Sequence, residues 1–179
     1  MNNYVFLPYD NRFPRLFRKE KERIQKVLGE KTMVEHFGST AVPGLGGKGV
    51  IDICVVVPRK DLNLVSKKLQ TKLGYIYKPD AGVENERLFH DINLFDDLGV
   101  ERHYHLHLTY PENQNYKESI AFRDYLILHP EEAQKYAEVK KKAVEAVSEV
   151  TDKRELKEKY MAVKRGLIQE MIQKALKEQ

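Results

Sequence analysis

The sequence predicts an α/β fold, a small β-sheet flanked by helices and followed by a C-terminal helical bundle. Three observations carry that expectation. Val50–Val57 (VIDICVVV) is apolar, rich in β-branched residues and too short for a membrane span, so it reads as a core strand. Residues 86–95 (ERLFHDINLF) and 101–109 (ERHYHLHLT) read as two further strands around the turn Asp96-Asp97-Leu98-Gly99. From residue 113 onward the apolar residues fall at helical spacing as far as Leu176.

The elements follow in order. Residues 10–28 read as a helix capped by Asp10 or Asn11, with Pro14 in its first turn and Gly29 after it. Phe13, Leu16, Phe17, Ile24, Val27 and Leu28 form its inner face, and the charged run Arg18–Arg23 its outer one. A strand over 32–37 precedes the turn Gly38-Ser39-Thr40, and a glycine-rich loop reaches to Gly49. Asp61 is placed to cap a helix over 62–73, with Gly74 as its stop, and GYIYKP (74–79) reads as a short strand. Three helices then span about 114–128, 130–148 and the segment after Asp152, which forms a capping box with Glu155. The last carries a stripe of Leu156, Tyr160, Val163, Leu167, Met171 and Leu176, read as packing on the preceding helices.

A length of 179 residues fits one domain, with a core over 1–110 and helices over 111–179. The 31 basic residues are interspersed with 27 acidic ones for a net charge of +4, which argues for a mixed-charge surface rather than a nucleic-acid footprint. Cys54 is the one cysteine, so no disulfide forms within the chain; it reads as a small buried hydrophobe of a reducing compartment. Neither a signal peptide nor a transmembrane run is visible, so a cytoplasmic location without a membrane partner is expected.

Gly44-Leu45-Gly46-Gly47-Lys48-Gly49 matches G-x-G-x-x-G, but these glycines lead into a strand rather than a helix, so the dinucleotide fingerprint is rejected. The phosphate-loop pattern fails as well, with Val42 at its first glycine and Gly49 in place of Ser or Thr. Lys48 is left as a candidate phosphate contact or a solvated loop residue. Asp52 sits inside the apolar strand, where a charge costs several kcal/mol unless it is paired, hydrogen-bonded or metal-bound. Capping a neighbouring loop is its structural alternative. His103, His105 and His107 alternate onto one face of their strand, and two such histidines lie roughly 6–7 Å apart at Cα. They read as convergent ligands or as packed sheet residues. His36, Arg87 and Arg123 are further candidates for contact with a phosphate or carboxylate, Arg123 equally for an ion pair with Asp124 or Glu118.

The string HFGSTAVPGLGGK-x-VIDI, with YDNRFPRLFRKEKERI, HYHLHL and FRDYLILHPEEAQKYAEVKKK, resembles the GrpB family across nearly the whole chain. That family is usually placed among the nucleotidyltransferase folds, so the resemblance implies a mixed sheet of that type with a pocket between sheet and helices, walled by the Gly38–Lys48 loop. It implies that Gly38, Ser39 and Thr40 cradle a triphosphate and that Asp52 holds a divalent metal (Mg, Mn or Zn). Active members carry a second carboxylate two residues later, where this chain has Cys54, and a third on a later strand, where it has His105 and His107. Three readings follow: a nucleotide pocket without transfer chemistry, a site for a softer metal on Asp52, His105 and His107, or a metal-free site with a histidine base. The expected ligand is a nucleotide or other small phosphorylated metabolite, with nucleotidyl transfer possible. The alternatives are an accessory module, which fusion of similar domains to dephospho-coenzyme A kinase ties to coenzyme A metabolism, and a His/Asp metal hydrolase.

Overall fold

The apolar run becomes strand β2 (Ile51–Val56) of a five-stranded sheet in the computed structural model, which describes residues 4–178. The other strands are β1 (Met33–Phe37), β3 (Ile76–Tyr77), β4 (Leu88–Phe95) and β5 (Glu101–Thr109). The sheet order is β1-β2-β5-β4-β3, mixed because β2 and β5 run parallel while the other neighbours are antiparallel. Helices α1 (Phe13–Leu28) and α2 (Leu62–Leu73) cover one face; α3 (Gln114–Leu128), α4 (Pro130–Glu145) and α5 (Lys153–Lys177) follow the sheet. The fold class read from the sequence is thus the one observed. No helix is long and apolar enough to cross a membrane among the described residues.

Alternation along the strands sorts their residues into two faces. Val34, Ile51, Ile53, Val55, Leu88, Tyr104, Leu106 and Leu108 point into the main core with Phe13, Leu16 and Ile24 of α1 and Leu62, Val65, Leu69 and Leu73 of α2. The register puts Phe37 opposite Asp52, Asp52 opposite His105 and Cys54 opposite His107, so these side chains share the other face. A second core joins the loop after β1 to the bundle: Val42 and Leu45 pack with Ala121, Tyr125, Leu126, Ala133, Tyr136 and Met171. The loop therefore fixes how α4 and α5 stand over the polar face of the sheet.

Several local expectations change. Asp10 and Asn11 do not cap α1; Arg12 occupies the cap position, with no side-chain cap bond. The Asp10 carboxylate is drawn into an ion cluster with Arg12 and Arg102, to which Asp96 at the β4–β5 turn also belongs. Asp61 caps nothing through its side chain, because a 3₁₀ turn over Arg59–Asp61 runs directly into α2. Asp152 does accept from the Arg154 and Glu155 amides, but Glu155 pairs with Lys159, four residues on. The strand expected over 74–79 shrinks to two residues because Gly74 takes the left-handed stop of α2 and Tyr75 turns into the core. Val163 is exposed and Lys164 buried, one place along from the expected stripe.

The largest departure is Glu20, placed by the charge run on the outer face of α1 but only 3 % exposed. Its two oxygens take the Arg23 guanidinium at 2.7 Å each, and the Tyr75 hydroxyl donates to Oε1 at 2.7 Å. Arg23 also donates to the Leu73 carbonyl at the end of α2, so this network ties α1 to α2. Removing one member of such a buried group strands the others. Glu20→Ala should lower stability by roughly 3 kcal/mol in urea unfolding, with the exposed Glu22→Ala within about 0.5 kcal/mol of wild type.

Candidate functional site

Gly38 begins the site. Its φ of 70° and ψ of −171° lie in a region that side chains essentially exclude. A Cβ there would lie 3.0 Å from the Asp52 carboxyl carbon and closer still to Oδ2. The Gly38-Ser39 turn thus lies directly against the carboxylate of β2. Asp52 faces His105 across the parallel pair, with Oδ1 3.4 Å from Nδ1. Burial raises the Asp52 pKa, but the His105 hydrogen bond, with charge from His105, His107 and Lys48, outweighs it and leaves the carboxyl below its ordinary value.

Opposite this edge stand α4 and α5. Each presents a tyrosine and, one helical turn later, a lysine on the same face: Tyr136 with Lys140, and Tyr160 with Lys164. Together with Gly38, Ser39, Lys48, Val50, Asp52 and His105 they enclose a cavity of about 210 Å³. Lys140 and Lys164 are 4 % and 8 % exposed, and among the described residues none of the three lysines forms an ion pair. Their ammonium groups rest on aromatic rings instead: Lys164 4.1 Å from the Tyr160 centroid, Lys140 5.3 Å from Tyr136, Lys48 4.4 Å from Tyr4. Lys140 also donates to the Gly46 carbonyl at 2.5 Å. Burial, then the charge of Lys164, pulls Lys140 down to about 7; burial, then Lys48, pulls Lys164 down to about 8.

The site residues expected from sequence divide. Gly38, Ser39, Lys48, Asp52 and His105 meet in this cavity. Thr40 lies behind it, buried, donating to the Val50 carbonyl and touching His36 Nε2 at 3.0 Å. His36 is on the opposite face of the sheet, stacked on Phe17, and burial takes its pKa down to about 4. His107 is one rung beyond His105 and accepts from Arg87 at 3.2 Å, beside Cys54 in a separate cavity of about 20 Å³. Arg123 is held by Glu35, Asp124 and the His36 carbonyl, outside the cavity. The helical pattern marks Tyr160 only as a packing residue and leaves Lys140 and Lys164 unmarked, although each lysine interrupts an apolar helical stripe.

The residues present do not fit a divalent metal. Among the described residues no group of three or more His, Cys, Asp and Glu side chains is arranged to hold one. Asp52 is the one carboxylate in the cavity, burial pushes the Cys54 thiol up to about 12, and His107 is turned to Arg87. Three ammonium groups around one carboxylate favour an anion.

Gly38→Ala should cost about 2 kcal/mol in urea unfolding through backbone strain, and more through displacement of Asp52. Gly44→Ala, also at positive φ but in open space, should cost only about 1 kcal/mol.

Comparison with known proteins places the chain among bacterial relatives. A UPF0157 protein of Halalkalibacterium halodurans is 32% identical over 175 residues, covering 96% of this chain and 82% of that protein. The UPF0157 protein YqkA of Bacillus subtilis is 31% identical over 136 residues, 74% of this chain but 37% of that protein. The crystal structure of the conserved protein GrpB from Enterococcus faecalis matches with a TM-score of 0.78 at 28% identity, over 97% of this chain and 98% of that one. A chain of the non-canonical poly(A) polymerase complex GLD-2–GLD-3 matches at a TM-score of 0.49 and 13% identity, a likeness that carries no activity across. The family model described as GrpB protein matches residues 4–174, and the chain belongs to the GrpB family.

Proposed function

We propose that the cavity binds the phosphate group of a small phosphorylated metabolite or nucleotide without a divalent metal. One observation supports this most: three lysines from the loop, α4 and α5 converge with no carboxylate partner on a turn held against Asp52. Burying ammonium groups is costly, and a bound phosphate relieves that cost with charge-assisted hydrogen bonds. Ser39 supplies a hydroxyl donor and the tyrosine rings form the walls.

Two-metal nucleotidyl transfer is the less favoured reading. It needs carboxylates that neutralise the metals and align the attacked phosphorus. Here Cys54 stands where the resemblance expects the second acid, and the strand expected to carry the third has His105 and His107. The Asp52–His105 pair can orient an imidazole beside a bound phosphate, which is chemistry for a general base rather than for a metal centre.

Isothermal titration with inorganic pyrophosphate tests the reading. Binding should be undiminished by chelator and weakened at least tenfold in Lys140→Met and in Lys164→Met, a loss of about 1.4 kcal/mol or more. Absence of binding at millimolar pyrophosphate contradicts the proposal. Both lysine pKa values are lowered, so raising pH through 7 to 8 neutralises these groups. Affinity should therefore fall between pH 6.5 and 9, and binding at pH 8 should take up protons.

The unliganded protein carries the converse signature. Lys140 binds a proton less readily folded than unfolded, so its unfavourable contribution is full below about pH 7 and fades as pH rises toward the ordinary lysine value. The stability of Lys140→Met relative to wild type should be highest near pH 6.5 and decline by pH 10, measured by urea unfolding across that range.

A further inference from the structure

A second cavity, of about 370 Å³, adjoins the lysine pocket. Lys48 lines both. The sheet continues from one to the other: His105 faces the lysine pocket and His103, two residues earlier on β5, faces the second. Their rings meet edge to face at 4.7 Å. The strand repeat separates the two by roughly 6–7 Å at Cα, the distance from a phosphate to the far side of the sugar-sized group it esterifies. Leu7, Pro8, Phe13 and Val100 give the second cavity an apolar wall, with Glu101, Arg102 and His103 along a polar edge. Asp10 and Arg102 of this lining are already paired to each other, which leaves Lys48, shared with the lysine pocket, as its unpaired cation, so a phosphate is held at the shared lysine rather than deeper in this space.

We propose that this cavity receives the organic half of the ligand, making the substrate class a phosphoester of a ring-sized polar group, such as a nucleoside or sugar phosphate. The inference rests on phosphate binding in the lysine pocket and assigns the direction in which the ligand extends: over Lys48, toward the N-terminal segment and the β4–β5 hairpin. The Asp52–His105 pair then stands at the junction of the two cavities, beside the ester linkage. An apolar ring face lies on Val100 and Leu7, and His103 hydrogen-bonds the polar edge. Such a division, with apolar walls and a few placed polar groups, is the ordinary construction of a small-molecule site.

Titration of the full chain with inorganic phosphate, ribose 5-phosphate and adenosine 5′-monophosphate separates the two claims. Wild type should bind at least one organic phosphate tenfold or more tighter than inorganic phosphate. Val100→Trp, at a half-exposed position on the hairpin, fills the second cavity and should weaken the organic phosphates at least fivefold while leaving inorganic phosphate unchanged. His103→Ala should show the same selectivity with a smaller loss. Organic phosphates that bind no tighter than inorganic phosphate, or a Val100→Trp effect equal on both, would overturn this inference and leave the lysine pocket standing. Failure of every phosphate to bind would overturn the parent reading and this one together.

Discussion

Three lysines, Lys140 and Lys164 buried and Lys48 half-buried, line a cavity whose one carboxylate is Asp52, and much of the chain's architecture is organised around keeping them there. In water each lysine is solvated; here each rests on a tyrosine ring, and Lys140 also donates to a carbonyl. An assembly selected for stability alone places a carboxylate or a leucine at such positions. That Lys140 and Lys164 instead sit where helices α4 and α5 need apolar residues is the physical reason to read the cavity as a binding site. The Asp52 carboxylate, held in place by the Gly38 backbone, keeps the net charge of the empty cavity tolerable while leaving an excess for an anion.

The loop between β1 and β2 does the mechanical work. Val42 and Leu45 anchor it in the bundle core, Gly46 receives Lys140, and Gly47 pairs with Leu7 through two backbone hydrogen bonds. A side chain at Gly46 would meet the Phe6 ring at 2.6 Å, and one at Gly47 would meet Ser39 Oγ at 2.7 Å. These glycines therefore serve close packing of the N-terminal segment, the turn and α4, rather than a nucleotide fingerprint. The same contacts define the site: the sheet edge and the helices that carry the lysines are joined through this one segment.

Much of the fold was legible because its signals are local. Period-two alternation separated His103, His105 and His107 from Tyr104, Leu106 and Leu108, which the fold buries in the core, and Pro130 and Gly74 marked real helix boundaries. The site was legible only on the sheet side, where a charge in an apolar strand drew attention to Asp52. Lys140 and Lys164 look like ordinary surface lysines in a chain rich in them, and only their phase betrays them: in α4 the series Ala133, Tyr136, Lys140, Ala143 is buried on one face. Glu20 was hidden the same way within a charge run. Where His36, Thr40, Arg87 and Arg123 point depends on register and on partners distant in sequence, such as Glu35 for Arg123 and His107 for Arg87. No local pattern encodes those.

The most direct test of an anion site built from Lys48, Lys140 and Lys164 is a crystal structure after soaking with tungstate, a tetrahedral phosphate mimic visible by its anomalous scattering. A tungsten peak is expected between α4, α5 and the Gly38-Ser39 turn, with oxygens within hydrogen-bond reach of Lys140 and Lys164 Nζ. A peak elsewhere on the molecule with this cavity filled only by water would contradict it.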